Sequence, residues 1–221
     1  MDVIGIDGWK RKWIGVVINS NGFQEAKIYH DLGDVIVNAT YEVIAIDVPI
    51  GLPQRPPRDA DVLVRGMIGA RGPSVFEAPP AFCLDPRWND RALASAESMK
   101  RHGRGIGCQA FALMDNIRNA DRVSESDDRV HEVHPEFSFF HMNDQRPLKF
   151  TKKSWNGRAE RIALLGQHGI ELPKMFDADV GRVAIDDILD AASAAWSAAR
   201  IANSKAIAVP DATQRLQRIW A

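Results

Sequence analysis

Short apolar runs at the start of the chain predict a meander of three β-strands. Residues 2–7 form the first run and residues 13–18 form the second, with a polar turn at 8–12 between them. A third run covers residues 24–31, after a turn rich in asparagine and glycine. Apolar runs of this length between turn residues are typical of strands, so the pattern predicts three consecutive strands joined by tight turns.

The rest of the chain alternates between helical and irregular patterns. A short helix near residues 33–40 leads to a fourth strand at 43–48. The stretches at 49–57 and 73–86 are predicted to be irregular, because proline lacks a backbone donor and fixes its own φ. Helices are predicted at 59–69, 90–101, 107–121, 156–168 and 184–203, and further strands at 129–133 and 206–209. A meander followed by helices and strands in alternation predicts an α/β fold.

The connection between the fourth and fifth predicted strands is too long for a simple loop. We place an insertion at about residues 52–128 and expect it to be largely helical. Long connections inside compact domains are usually functional or mobile. We expect this one to cover the carboxyl edge of the sheet and to carry Arg58, Arg65 and Arg71 towards any site there.

The composition is that of one globular domain over residues 1–221. Hydrophobic residues make up 45% of the chain and charged residues 26%, which is typical of a compact domain. The formal net charge is −1, whereas a general binder of duplex nucleic acid is usually more basic. The two cysteines, Cys83 and Cys108, indicate neither a disulfide framework nor a zinc ribbon. No apolar run reaches the roughly 18 residues of a membrane helix, and the first strand leaves no room for a leader, so we expect a cytoplasmic protein without membrane contact.

Two of the predicted strands end in an aspartate. Asp7 closes the run that starts at Val3, and Asp47 closes the run that starts at Val43. An ionised carboxylate at the end of a buried strand is costly unless it has a partner. The carboxyl ends of neighbouring parallel strands open at one crevice, where α/β sheets bind ligands. The pattern therefore predicts that Asp7 and Asp47 share a site.

The helix predicted at 184–203 supplies two further acids. Asp187 and Asp190 lie three residues apart near its start, so they share a helix face. The alanines that follow make a slim helix that can approach a sheet closely and bring these acids to Asp7. Carboxylate oxygens are the ligands that hard cations prefer. We therefore predict that Asp7, Asp47, Asp187 and Asp190 converge to hold Mg²⁺ or Mn²⁺.

Each of these acids also has a purely structural explanation. Asp7 could cap the hairpin turn, and Asp47 could accept backbone N–H groups of the loop after it. Asp187 suits the positive end of a helix macrodipole, at about 0.3–1 kcal/mol. Glu132 and Glu136 are additional candidate ligands. Glu132 lies inside a predicted strand, where a neighbouring arginine would explain an acid as well as a metal would.

Basic side chains cluster in the irregular segments, several of them directly after the acid-bearing strands. Such clusters are most often solvated surface. Basic side chains close to a site can also bind phosphate, and phosphate contacts supply most of the affinity for nucleic acid. We predict that Lys10, Arg58 and Arg71 bind substrate phosphate; the group also includes Lys149, Lys152 and Lys153. Four aromatic side chains could stack on bases or pack the insertion onto the sheet, and packing is favoured for most of them. They are Trp9, Phe76, Phe82 and Trp88.

Four short motifs resemble the DUF429 family when they are taken together in this order. They are Gly5 to Lys10, Ile46 to Pro53, Glu132 to Glu136, and Asp186 to Ala191. The family is described as predicted nucleases with a ribonuclease-H-like fold, related to the Holliday-junction resolvases. The resemblance covers nearly the whole chain and implies a mixed five-stranded sheet flanked by helices. One departure is the pair Arg11 and Lys12, where the family often has glycine, and which would alter the turn beside the site.

The resemblance also implies a function. Asp7 matches the first-strand acid of the resolvases, Asp47 stands where they have glutamate, and the spacing of Asp187 and Asp190 is similar to that of their last-helix acids. It implies a metal-dependent nuclease that hydrolyses phosphodiester bonds of nucleic acid. In such enzymes one or two ions stabilise the attacking water and the leaving oxygen.

Two alternatives stay open at this point. An actin-like or sugar-kinase-like phosphotransferase shares the same core, but it usually has a glycine-rich turn with Thr or Ser after the first acid. Residues 9–12 lack both, and 221 residues are short for its paired domains. The other alternative is a non-catalytic binding module that retains the fold. The sequence leaves open DNA versus RNA, endo- versus exonuclease, and whether the protein forms a homodimer.

Overall fold

A computed structural model describes residues 1–38, 40–211 and 216–221 of the chain. Five strands form its main sheet: β1 (Val3–Trp9), β2 (Lys12–Asn19), β3 (Gly22–Tyr29), β4 (Ile44–Ile46) and β5 (Val130–Glu132). Their order in the sheet is β3-β2-β1-β4-β5. This is the predicted α/β architecture with a mixed five-stranded sheet, and it is consistent with a ribonuclease-H-like fold.

The strand β1 lies at the centre of this sheet. It runs antiparallel to β2 and parallel to β4, with Ile6 paired to Ile46. The strand β4 is in turn parallel to β5, with Ile46 paired to Glu132. The prediction that β1 is flanked by its hairpin partner and by the strand before Asp47 is confirmed. Because β1, β4 and β5 are parallel, their carboxyl ends open at the same edge.

Eight α-helices surround the sheet in the part of the chain that the structure describes. They are α1 (Leu32–Asn38), α2 (Asp59–Met67), α3 (Arg91–His102), α4 (Cys108–Ala112), α5 (Met114–Ser126), α6 (Pro135–Met142), α7 (Trp155–Gln167) and α8 (Ile185–Ala202). Short 3-10 helices lie at Gly69–Ser74, Ala81–Leu84, Pro86–Trp88 and Val180–Arg182. Helices α2 to α5 fall inside the segment where the sequence predicted an insertion.

The two faces of the sheet pack against different helices. Side chains of β1 alternate between them, so that Val3 joins the core under α6, α7 and α8, and Ile4 joins the core under α1 and α5. The three residues of β4 are all buried. Continuous apolar runs in β1 and β4 are what a strand covered on both faces requires.

The long helix α8 lies directly on β1 because both surfaces carry small residues. A Cβ atom on Gly5 would lie 1.9 Å from the backbone nitrogen of Ala195 and 2.2 Å from the carbonyl oxygen of Ala191. Only glycine fits at such a close backbone approach. The predicted slim helix is therefore found, and its alanines bring the start of α8 to the carboxyl end of β1.

Three local features differ from the prediction. The helix α6 was not predicted, because its residues are nearly all buried and show no amphipathic period. Its signal was Pro135 at the first helical position, where a missing donor costs nothing and φ is already helical. The helix predicted at 107–121 is two helices that break at Leu113. The helix predicted at 33–40 ends at Asn38, and Ala39 lies outside the described residues.

A small second sheet pairs β6 (Ala208–Val209) with β7 (Ile219–Trp220). The sequence predicted its first strand as part of residues 206–209 and did not predict its second. None of the described helices is both long and apolar enough to cross a membrane.

Candidate metal centre

Asp7 and Asp47 lie side by side at the carboxyl edge of the sheet. Asp7 is the residue after Ile6 in β1, and Asp47 directly follows β4. The backbone N–H of Asp47 donates to the carbonyl oxygen of Ile6 at 2.9 Å. This bond extends the parallel ladder by one step beyond the pairing of Ile6 with Ile46. The sheet register therefore sets the two carboxylates next to each other.

The helix α8 adds a third acid, Asp190, which is 1% exposed. One carboxylate oxygen from each of Asp7, Asp47 and Asp190 lies within 4.8 Å of the other two. The close approach of α8 at Gly5 is what carries Asp190 to the end of β1. Three acids from three elements that are distant in sequence thus converge.

The fourth predicted ligand, Asp187, does not belong to this group of three. It lies one helical turn before Asp190, is partly exposed, and lines the same cavity. From the sequence, all four acids were expected to converge in one metal site. The structure instead groups three of them and places Asp187 on the wall beside them.

Burial raises the pKa of all four aspartates here, and neighbouring carboxylates add to the rise. Burial is the largest cause for Asp7, and the charges of Asp47 and Asp190 add to it. Burial is also the largest cause that raises the pKa values of Asp47 and Asp190 above the usual range, although the charge of Lys152 opposes the rise. Burial and the neighbouring aspartates raise the pKa of Asp187 to about 6. Like charges held this close disfavour joint ionisation, so the group favours a bound cation.

A lysine that the sequence analysis did not assign to the site lies among these acids. The Nζ atom of Lys152 forms an ion pair with Oδ2 of Asp190. Burial lowers the pKa of Lys152, but the carboxylates of Asp190, Asp47 and Asp7 outweigh it, so the pKa is raised above its usual value. Its only signal in the sequence was its place in a basic, irregular segment.

The N-terminal turn of α7 holds the segment that carries Lys152. The hydroxyl of Ser154 accepts a hydrogen bond from the N–H of Gly157 at 3.0 Å and donates to the carbonyl oxygen of Thr151 at 2.8 Å. A Cβ atom on Gly157 would lie 1.9 Å from that carbonyl oxygen. This N-cap fixes the backbone on both sides of Lys152 and thereby directs its side chain towards Asp190.

The acids line a cavity of about 540 Å³. Its walls come from the 3-10 helix Gly69–Ser74, from α4, from residues 151–153 and from the start of α6. Arg71 lines the cavity, and its Nε donates to the carbonyl oxygen of Leu148 at 2.9 Å. Phe76 and Leu113 add apolar surface. The cavity therefore combines acids, cationic groups and an apolar wall.

Arg58 occupies a different place from the one predicted. It is 2% exposed, and its guanidinium group donates to Asp61, to Glu132 and to the carbonyl oxygen of Ile50. A guanidinium group engaged in this way does not fit the predicted role in binding substrate phosphate. The same contact accounts for Glu132, whose two oxygens are held by Arg58 and by the N–H of Ile50. An acid inside β5 could be explained by a neighbouring arginine or by a metal ion, and the structure shows the arginine.

Glu136 lies beside the three acids without being one of them. Its Oε1 accepts from Nη2 of Arg161, whereas its buried Oε2 has no hydrogen-bond partner among the described residues. Glu136 lines the cavity and its charge contributes to raising the pKa of Asp190. Lys10, in contrast, lies outside the cavity on the exposed turn after β1, with its Nζ 4.8 Å from the Trp9 ring centroid.

The three carboxylates fit a hard divalent cation. All the candidate ligand atoms of the group are carboxylate oxygens, which Mg²⁺ and Mn²⁺ prefer, and the absence of His and Cys from it disfavours zinc. The N–H of Gly8 donates to Oδ1 of Asp7 at 2.6 Å and orients that carboxylate. Burial is the main cause that raises the pKa of all three acids, and a divalent ion would offset the carboxylate repulsion that adds to it.

Comparison with known proteins gives a family without a described activity. A family model described as "Protein of unknown function (DUF429)" matches residues 5–215. This span contains every acid of the centre and Lys152. Neither a search of curated proteins nor a search of solved structures found a match. Because the family model covers nearly the whole chain, the chain belongs to the DUF429 family.

Proposed function

We propose that the protein is a metal-dependent nuclease that hydrolyses phosphodiester bonds of nucleic acid. The observation that carries this proposal is the convergence of Asp7, Asp47 and Asp190 on a cavity that also contains Lys152 and Arg71. A carboxylate-held cation beside positive side chains is suited to bind a phosphodiester and to stabilise the charge that develops on it.

In this proposal Asp7, Asp47 and Asp190 hold a Mg²⁺ or Mn²⁺ ion. When bound, such an ion polarises a phosphoryl oxygen and makes water a better nucleophile. The N–H of Gly8 orients Asp7, and Lys152 orients Asp190. Lys152 also offers N–H donors to the substrate phosphate, and Arg71 binds a neighbouring phosphate on the wall of the cavity.

The cavity favours an unpaired strand over an intact duplex. Asp7 is 9% exposed and Asp190 is 1% exposed, inside a cavity of about 540 Å³. An unpaired nucleotide can turn into a pocket directly, whereas a base of an intact duplex enters one only after it has been unstacked and unpaired. Phe76 and Leu113 provide an apolar wall on which a base can rest. We therefore propose single-stranded nucleic acid or a frayed strand end as the substrate class.

A cleavage panel tests this function. Labelled single-stranded DNA, single-stranded RNA, a blunt duplex, a closed dumbbell duplex and a four-way junction are incubated with Mg²⁺, Mn²⁺ or EDTA. We expect cleavage of the single strands with either ion, none with EDTA, and little cleavage of the dumbbell. The variant Asp7→Asn, purified in parallel, controls for contaminating nucleases. Cleavage of the dumbbell as fast as the single strands would contradict the proposed substrate class.

The same panel tests both alternatives against the nuclease. A non-catalytic binding module would cleave none of the substrates. An actin-like or sugar-kinase-like phosphotransferase would instead transfer phosphate from ATP, and it would need a phosphate-binding turn after β1. The turn has Lys10 and Arg11 in place of glycine and a hydroxyl residue, which favours the nuclease.

A further inference from the structure

We propose that Lys152 is a built-in second cation of this centre, so that the site takes one divalent ion and not two. The proposal rests on one part of the proposed function, which is that the three aspartates bind a divalent ion. It adds a residue to the site that no sequence motif marks.

The position of the ammonium group is the first reason. Lys152 forms its ion pair with a carboxylate whose side chain is 2% exposed, while the lysine side chain itself is 37% exposed. The flexible stem therefore runs from the surface inwards and delivers its charge to the buried acid. The charges of Asp47 and Asp7 also act on this ammonium group.

The supply of oxygen ligands is the second reason. Two-metal sites hold their ions about 3.5–4 Å apart and need enough acidic oxygens to surround both. Lys152 already engages Oδ2 of Asp190, and the N–H of Gly8 already engages Oδ1 of Asp7, so fewer lone pairs of these carboxylates remain for cations. The oxygens that remain on the three aspartates suffice for one ion with water completing its shell.

The neighbouring acids add few further oxygens. Asp187 lies outside the group of three, and Arg161 holds one oxygen of Glu136, which leaves Oε2 as the oxygen of that residue without a hydrogen-bond partner among the described residues. One divalent ion and one ammonium group neutralise the three carboxylates of the group, so a second divalent ion would add two positive charges, of which Asp187 on the cavity wall offsets only one. Such an excess is unfavourable in a buried site.

The ammonium group can also do what a second ion would do for the substrate. A lysine ammonium has three donors and behaves as a compact point charge. One donor is directed at Asp190, and Lys152 lines the cavity, so the others can reach a phosphate oxygen there. Lys152 is thus proposed to bind the scissile phosphate.

The chain offers a matched control for this residue. Lys153 is the next residue and also lines the cavity, but it is exposed and forms no ion pair with any described acid. Removing either lysine changes the net charge by the same amount. Only the removal of Lys152 frees an oxygen of Asp190.

Titration with Mn²⁺ tests the proposal. The number of bound ions per chain is measured by calorimetry and by electron paramagnetic resonance for the wild type, Lys152→Met, Lys152→Arg and Lys153→Met. We expect one ion for the wild type, for Lys152→Arg and for Lys153→Met, and two ions for Lys152→Met. Two ions in the wild type, or a single ion in folded Lys152→Met, would overturn the proposal.

This test separates the role of the lysine from the nuclease function. One ion in the wild type and two in Lys152→Met, without cleavage of any substrate, would support the lysine proposal and contradict the nuclease. No ion in the wild type would overturn both. If thermal melting shows that Lys152→Met does not fold, the wild type and Lys152→Arg decide: one ion in each supports the proposal, and two in either overturns it.

Discussion

Two groups of buried acids lie at the carboxyl ends of neighbouring strands, and they are built in opposite ways. We call them the closed cluster, made of Arg58, Asp61 and Glu132, and the open cluster, made of Asp7, Asp47, Asp190 and Lys152. Both sit at the same edge of the sheet, and both contain carboxylates that are almost inaccessible to solvent. They differ in how many of their oxygens are satisfied by the protein.

In the closed cluster every carboxylate oxygen accepts a hydrogen bond. Glu132 receives donors from Arg58 and from the N–H of Ile50, and Asp61 receives donors from Arg58 and from the N–H of Ala78 at 2.8 Å. Burial still raises the pKa of Glu132, to about 7. Such a fully bonded group stabilises one conformation and leaves nothing for a ligand.

In the open cluster the protein supplies too few donors. Asp7 has the N–H of Gly8 and Asp190 has Lys152, while the Asp47 carboxylate receives no hydrogen bond from residues 1–38, 40–211 or 216–221. These groups also line the cavity of about 540 Å³, whereas Arg58, Asp61 and Glu132 line only a small cavity of about 20 Å³. Burial and a shifted pKa are therefore common to both clusters, and what marks a site is unmatched acceptors on a cavity.

The largest expected effect is the loss of cleavage when an acid of the open cluster is replaced. Asp7→Asn should abolish cleavage and the metal-induced rise in melting temperature, because a ligand is lost. Without metal the same variant should melt at a higher temperature than the wild type, because one repelling charge is gone. The matched control is Asp61→Asn in the closed cluster, which should lower stability and keep cleavage. If Asp7→Asn still binds Mg²⁺ and cleaves, Asp7 only caps the turn.

The next effect is on stability and belongs to the closed cluster. Arg58→Met leaves two buried carboxylates without their cation, which typically costs about 3–5 kcal/mol. Urea unfolding in EDTA should show this loss. Metal binding by the folded variant should be unchanged, since Arg58 does not line the cavity. A stable variant that has lost metal binding would break the distinction between the clusters.

Divalent metal should stabilise the protein through the open cluster. At a hundredfold excess over the dissociation constant the gain is about 2.7 kcal/mol. Melting curves with increasing Mg²⁺ should therefore shift upwards for the wild type and equally for Asp61→Asn. The absence of any shift with both Mg²⁺ and Mn²⁺ would favour the non-catalytic binding module.

The smallest expected effect is a pH dependence in the absence of metal. Because the pKa of Asp187 rises from 3.8 to about 6 on folding, the folded state holds more of its proton than the unfolded state between these values. This contribution to stability is complete below 3.8 and is lost as the pH rises through about 6. Asp187→Asn should remove that part of the decline in melting temperature. A decline identical to that of the wild type would contradict the assigned pKa.

Local sequence was enough for the strands and for the pairing of two acids. Apolar runs before Asp7 and Asp47 predicted neighbouring parallel strands, and the structure pairs Ile6 with Ile46 at the ends of those runs. The alanines of α8 predicted its close approach, which Gly5 makes possible. Apolar runs and rows of small residues are local patterns, so they can be recognised in a single sequence.

The wrong or missing predictions for Arg58 and Lys152 have a common cause. The long side chains of these residues form ion pairs with residues that are distant in sequence. Arg58 and Lys152 both stood in basic, irregular segments, and nothing nearby distinguishes them. Arg58 meets Glu132 across 74 positions of sequence, and Lys152 meets Asp190 across 38. The helix α6 was missed for a related reason, because burial on all sides removes the period by which a helix is recognised.

The sequence by itself determined the sheet, the helix that lies on it, and the four aspartates from which the structure groups three. These depend on hydrophobic burial, which leaves an apolar or small-residue pattern in the segments concerned. Only the tertiary structure decided which charges are paired internally and which face the cavity. An ion pair forms only between groups that the packed chain brings within a few ångströms, and a buried charge without a partner is costly. In the folded protein Glu132 pairs with an arginine, whereas Asp190 pairs with a lysine beside carboxylates that lack partners.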